Sequence, residues 1–156
     1  MRRLDGLGDV GIRAEGQAAL AILFAAIFTT IIPAILILHA KAAAMGGSLG
    51  ERGYFWATGL LSAFLDNAPT YLLFFNLAGG DPVALTGPRA DTLLAISAAA
   101  VFFGALTYIG NAPNFMIKAI VEEAGLTMPS FFGFMAWSAA LLLPLFIAVT
   151  LLFLSP

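Results

Sequence analysis

Phe64-Leu65-Asp66-Asn67-Ala68-Pro69-Thr70-Tyr71-Leu72 aligns without gaps on Tyr108-Ile109-Gly110-Asn111-Ala112-Pro113-Asn114-Phe115-Met116. Asn-Ala-Pro recurs with like residues on both sides, a self-similarity that points to one structural device used twice. Proline lacks an N–H and clashes with the preceding turn, and it biases the residue before it, Ala68 or Ala112, away from helical backbone. A helix stop is therefore expected at each copy. Both copies lie inside long apolar stretches, so each stop falls where water cannot satisfy the freed backbone groups.

Working outward, charged residues mark off four apolar segments, and a bilayer core of about 30 Å needs roughly 20 apolar residues as helix. Residues 1–16 form a polar N-terminal segment with Arg2, Arg3 and Arg13 mixed with Asp5, Asp9 and Glu15; nothing in it reads as a cleavable signal peptide. Residues 17–156 form the membrane domain. Within it, 17–38 is an uncharged spanning helix containing Pro33, and His39 and Lys41 follow as its solvated end. Residues 53–80 carry Asp66 alone as a charge and read as an apolar segment interrupted at its centre. Residues 92–123 are uncharged as far as Ile117 and read as a second segment broken in the middle, ending at the interface with Lys118, Glu122 and Glu123. Residues 131–154 read as a plain span with Pro144 inside it. The Pro33 and Pro144 positions are expected to be kinks only, because neighbours re-satisfy freed groups. Trp56 and Trp137 stand near segment starts, where indole rings favour the headgroup level. Arg89, Asp81 and Asp91 are assigned to a loop, and the glycines to turns or close packing. The positive-inside rule gives a near tie and no orientation.

The composition agrees. Of 156 residues, 61% are hydrophobic and 10% charged, against about 25% charged in a soluble domain. A net charge of −2 offers no basic surface for nucleic acid. No cysteine and a single histidine leave no thiolate or His-cluster metal site. No Ser/His, paired-Asp or His-rich constellation is present for hydrolysis, so an enzyme is not expected.

Inside a bilayer, non-helical backbone survives only when it is buried in protein or lines a wet cavity, since each unsatisfied group costs several kcal/mol. Two broken segments with polar side chains therefore imply a site. Asn67, Thr70, Thr107, Asn111 and Asn114 supply neutral oxygens and amide donors, and Asp66 a carboxylate. Such an oxygen-rich set suits a hard cation; Asp66, Asn67 and Asn111 are the sodium candidates. Carbonyls ending one half-helix add cation ligands, and N–H groups opening the next can hold an anion. An ionisable residue in mid-membrane is a functional candidate by default; the second-ranked reading of Asp66 is a structural cap on the following half-helix.

The runs Phe55-Trp56-Ala57-Thr58-Gly59, Ser62 to Tyr71 and Gly104 to Met116 resemble the ion transporter superfamily, nearest its citrate-transporter-like and NhaD-type sodium/proton antiporter branch, over roughly residues 18–154. The resemblance implies an all-α membrane protein with three spanning helices, one unwound in mid-membrane, and one re-entrant helical hairpin, together half of an inverted-repeat transporter. It makes 53–80 the re-entrant hairpin with its tip at 66–70, makes 92–123 the unwound helix with its loop at 107–114, and implies a multi-pass protein of the inner (plasma) membrane. Dicarboxylate symporters of the family carry Ser-Asn-Thr at these tips, which this chain does not. Family members also carry an N-terminal half; the chain is accordingly expected to be the C-terminal half, completed by a homodimer or a separate partner.

The function so implied is secondary active transport with sodium or proton as coupling ion and no other cofactor. Sodium/proton antiport is ranked first because a proton on Asp66 could compete with sodium. Cation-coupled citrate or other organic-anion transport stands second. A non-transporting membrane subunit is the alternative of another class.

Overall fold

The computed structural model describes residues 49–154 and ten positions between 18 and 37. The chain divides into two compact units, Met1–Ala34 and Ile35–Pro156. In the first, every described position is helical, Pro33 included, and the Thr29 hydroxyl donates to the Ala25 carbonyl one turn back at 2.7 Å. Residues 1–16, His39 and Lys41 lie outside the described residues.

In the second unit the described residues are all helix and loop. Helix α1 (Glu51–Ser62) leads through a four-residue turn into α2 (Asn67–Leu77). The two helices are about 18 Å and 16 Å long at 1.5 Å per residue. They run antiparallel, since the Tyr54 hydroxyl near the start of α1 donates to the Leu77 carbonyl at the end of α2. Gly79 and Gly80, at φ of 108° and 66°, then end α2 by turning their N–H groups back to Asn76 and Phe75, the left-handed stop that glycine adopts without a Cβ penalty. Helix α3 (Pro82–Thr86) is a single turn. Helix α4 (Ala90–Phe102) continues as one 3-10 turn, Phe103–Leu106. The next five residues are not helical, and α5 (Ala112–Glu123) follows. A loop through Ser130 opens α6 (Phe131–Phe153), which passes Pro144 without interruption.

Two expectations are corrected. The helix stops do not fall at Ala68 and Ala112: both residues are helical, and the breaks lie ahead of them, at 63–66 and 107–111. Pro69 and Pro113 occupy the first turns of α2 and α5, where a missing N–H costs nothing because the first four N–H groups of a helix have no internal partner. Each Asn-Ala-Pro thus opens a helix rather than closing one. The region of Arg89, Asp81 and Asp91 is also more than a loop. Asp81 accepts from the Val83 N–H at 2.9 Å to start α3, and Leu85 of that turn is fully buried.

Helix α4 is the centre of the packing. One side meets Phe55 of α1 and Phe146 of α6; the other, through Ile96, meets Tyr54, Phe74, Leu77 and Leu85. Alanines 95, 99 and 100 let neighbouring backbones approach it closely. The Ser62 hydroxyl donates to the Ala100 carbonyl, and a Cβ on Gly59 would stand 2.4 Å from the Phe103 ring. That ring stacks on Phe146 at 4.3 Å between centroids. Trp56 belongs to this packing: its indole N–H donates to Thr150 of α6 at 3.1 Å and its ring meets Phe103 edge-on.

Helix α6 measures about 34 Å, enough to cross a hydrocarbon core of about 30 Å. Only 11% of its most apolar window is buried, with Trp137, Leu141, Leu151 and Leu152 exposed. The core helix of a soluble protein would be covered, and contiguous apolar surface of this extent marks contact with lipid or another protein.

Candidate functional site

The two breaks meet. Thr107, in extended backbone just past the 3-10 turn, is buried at 1% exposure. Its hydroxyl donates to the Ala63 carbonyl at the end of α1 and accepts from the Gly110 N–H at 2.9 Å. One side chain thereby satisfies a carbonyl of the first break and an amide of the second. Asn114, in the first turn of α5, reaches back and donates through Nδ2 to the Gly104 carbonyl at 2.8 Å and the Thr107 carbonyl at 2.9 Å. These are carbonyls that the end of the 3-10 turn would otherwise leave bare.

Backbone packing at this point leaves no room for a side chain. A Cβ on Gly110 would stand 2.8 Å from both the Ala63 and Gly104 carbonyl oxygens, and one on Gly104 would stand 2.9 Å from the Gly110 oxygen. The neighbours met are backbone atoms, Ala63 of the first break and the two glycines' own carbonyls across the second, so glycine here serves close approach and not a left-handed turn.

The first break is finished from within. The Asp66 carboxylate accepts from the Asn67 N–H at 2.7 Å and caps α2, an arrangement favoured by the positive end of the helix. The Thr70 hydroxyl, fully buried, donates to the Asp66 carbonyl at 3.0 Å.

The six residues singled out from the sequence therefore separate into two groups. Thr70, Thr107 and Asn114, together with Asp66 as the cap of α2, have polar atoms on backbone groups and hold the breaks in shape. The side-chain amides of Asn67 and Asn111 make no hydrogen bond among the described residues, and the Asp66 carboxylate is part-buried beside Asn67. Asn67 also borders a cleft of about 340 Å³ between α2 and α4, together with Tyr71, Ser97 and Val101. No hydrogen bond among the described residues joins Asp66 or Asn67 directly to Asn111. The link between the two breaks is the Thr107 hydroxyl, which joins their backbones.

Three features escaped the sequence reading: the Ala63 carbonyl as the partner of Thr107, the mutual seating of Gly104 and Gly110, and Tyr108. The Tyr108 hydroxyl donates to the Pro129 carbonyl at 3.0 Å, its ring stacks on Phe134 at 4.1 Å, and Lys118 Nζ sits 5.8 Å from its centroid. Glycines 104 and 110 flanking a break were the available signal for the second. The other two depend on contacts between residues far apart in sequence.

Electrostatically the two ends of this unit differ. Arg52 donates to the Leu154 carbonyl at 3.1 Å and Arg89 to the Ala78 carbonyl at 2.6 Å. Each arginine thus complements the negative end of a helix, and both lie at the end opposite the breaks.

A family model described as "Putative citrate transport" matches residues 15–154. The chain belongs to that family. No curated protein and no solved structure matches it. Membership in the citrate-transport family makes this a membrane transport protein, in keeping with the bare apolar surface of α6, and places it among the citrate-transporter-like members of the ion transporter superfamily. The matched region contains both Asn-Ala-Pro breaks and every contact described between them.

Proposed function

We propose that this citrate-transport family member moves an organic anion of the citrate class together with a cation, sodium or proton, through a site built on the two breaks. The observation that carries the reading is the division of labour at the breaks. Thr107 and Asn114 complete the backbone and the Asp66 carboxylate caps α2, while the Asn67 and Asn111 amides, with no hydrogen bond among the described residues, stand beside two helix N-termini. Hard cations take the oxygens of such a set, and the N-terminal N–H groups of α2 and α5 favour a carboxylate.

The membrane arrangement proposed with it has three spanning segments and one re-entrant hairpin in the inner membrane. Helices α1 and α2 are each about half the thickness of the hydrocarbon core, and their outer ends meet at Tyr54 and Leu77. A start near Glu51 puts Ala63 and Thr107 about 18 Å deep, close to the middle of a core of about 30 Å. The exposed apolar faces of α5 and α6 would be covered by lipid and by a second set of broken segments, from another copy of the chain or another polypeptide. The carrying domain would then move against a scaffold, as in other repeat-built carriers.

Sodium/proton antiport, and with it the NhaD-type branch, has its support in Asp66. That carboxylate serves as the N-cap of α2, a sufficient reason for its presence, whereas the family description favours an organic acid. Flux assays in liposomes separate the two. Cation-driven uptake that requires citrate and falls with Asn67→Ala or Asn111→Ala supports the organic-anion reading. Proton flux on adding sodium without any organic acid refutes it in favour of exchange.

A further inference from the structure

An organic polyanion of the citrate class needs a full positive charge as well as the partial charges of helix ends and amides. The described cations are Arg52, Arg89 and Lys118. The two arginines are held on the carbonyls of Leu154 and Ala78, at the end of the unit away from the breaks. Lys118 is placed differently. It lies one turn beyond Asn114 on the same face of α5, and its Nζ sits 5.8 Å from the ring centroid of Tyr108, a residue of the second break. Helix α5 turns its apolar side chains Phe115, Met116 and Ile120 outward, while Asn114 and Lys118 face inward. The helix is thus polar toward the protein.

Lys118 is occupied, but by a partner it can exchange. Its ammonium binds both carboxylate oxygens of Glu122, at 2.7 and 2.6 Å, with side chains 24% and 43% exposed. A pair this solvated contributes little to stability. A carboxylate arriving from solution could replace the Glu122 carboxylate at small cost, with the Tyr108 ring keeping the ammonium in place.

Resting on the organic-anion reading above, we infer that Lys118 is the cation that draws the substrate carboxylate to the second break, and that Glu122 is its stand-in when no substrate is bound. Lys118 is then a specificity-determining residue that selects anions, and Glu122 competes with the substrate for it.

The two residues make opposite predictions, which separates this role from a structural staple. Binding of radiolabelled citrate would be measured on the full chain in nanodiscs, at low and high salt. Lys118→Gln is expected to weaken binding roughly tenfold at low salt and to flatten the salt dependence, the scale of one screened charge pair at this range. Lys118→Arg keeps affinity within about threefold by preserving the charge. Glu122→Gln tightens binding roughly threefold by freeing the ammonium. Loss of affinity in both Lys118→Gln and Glu122→Gln, or no change in either, overturns the inference while leaving the organic-anion reading intact. A wild-type chain that binds no citrate, either alone or with the polypeptide that supplies the second set of broken segments, overturns the organic-anion reading itself, and this inference with it.

Discussion

Replacing Thr107 with valine keeps the shape of the side chain and removes only the hydroxyl. Two buried backbone groups then lose their partner, the Ala63 carbonyl and the Gly110 N–H. The Thr107 site is 1% exposed, and backbone atoms crowd Gly110 from both sides, so water cannot enter to replace the hydroxyl. A buried polar group left unsatisfied costs about 1–3 kcal/mol, so the substitution is expected to destabilise the protein by about 2–5 kcal/mol. Thr107→Ser, which keeps the hydroxyl and loses one methyl, is expected to cost about 1 kcal/mol. Unfolding of purified protein in detergent, together with hydrogen exchange at the Gly110 amide, reads the difference. Valine should lower the transition well below that of serine and expose the Gly110 amide to faster exchange. A valine variant as stable as the serine variant, with Gly110 still protected, would refute the claim that one hydroxyl joins the two breaks.

Gly110→Ala should be at least as damaging as Thr107→Val, since its Cβ would press on two backbone oxygens at 2.8 Å; loss of folded protein on size-exclusion chromatography reads it. Gly59→Ala should cost about 1–3 kcal/mol by overpacking against the Phe103 ring, and Phe103→Leu in the same chain should recover part of that loss in a thermal melt. Asn114→Ala should destabilise by about 2–4 kcal/mol, from two carbonyls left without a donor; combined with Thr107→Val the loss should be smaller than the sum, because both act on one network. Cysteines introduced at Thr86 and Phe153 should label from one side of the membrane and a cysteine at Thr127 from the other, since Arg52 ties the end of α6 to the start of α1.

How far the sequence revealed this arrangement depends on the range of each interaction. The presence of two broken segments was legible because proline and the repeated Asn-Ala-Pro act within a few residues. The side of the motif on which the chain leaves the helix was not. Proline disfavours the helix before it and is equally suited to a first helical turn, and the choice fell to Asp66 as cap at one break and to the Gly104-Gly110 contact at the other. The candidate site residues were readable as polar atoms in apolar surroundings. Their division into Thr70, Thr107 and Asn114 on backbone, and Asn67 and Asn111 uncommitted, was hidden because the bond that joins the breaks spans 44 residues. Likewise the acceptor of the Trp56 indole, Thr150, lies 94 residues away and had no local signal.

The central claim is that Asn67 and Asn111 bind what the protein transports while Thr107 and Asn114 hold the breaks in shape. Citrate uptake into liposomes driven by a sodium or proton gradient, measured for the wild type, Asn67→Ala and Asn111→Ala, tests it most directly when each variant's melting temperature is recorded alongside. The account predicts that both alanine variants lose uptake by tenfold or more while melting within about 2 °C of the wild type, as half-buried amides with no hydrogen bond among the described residues should. Full citrate uptake by both variants, or an equal loss of uptake and stability, would contradict it.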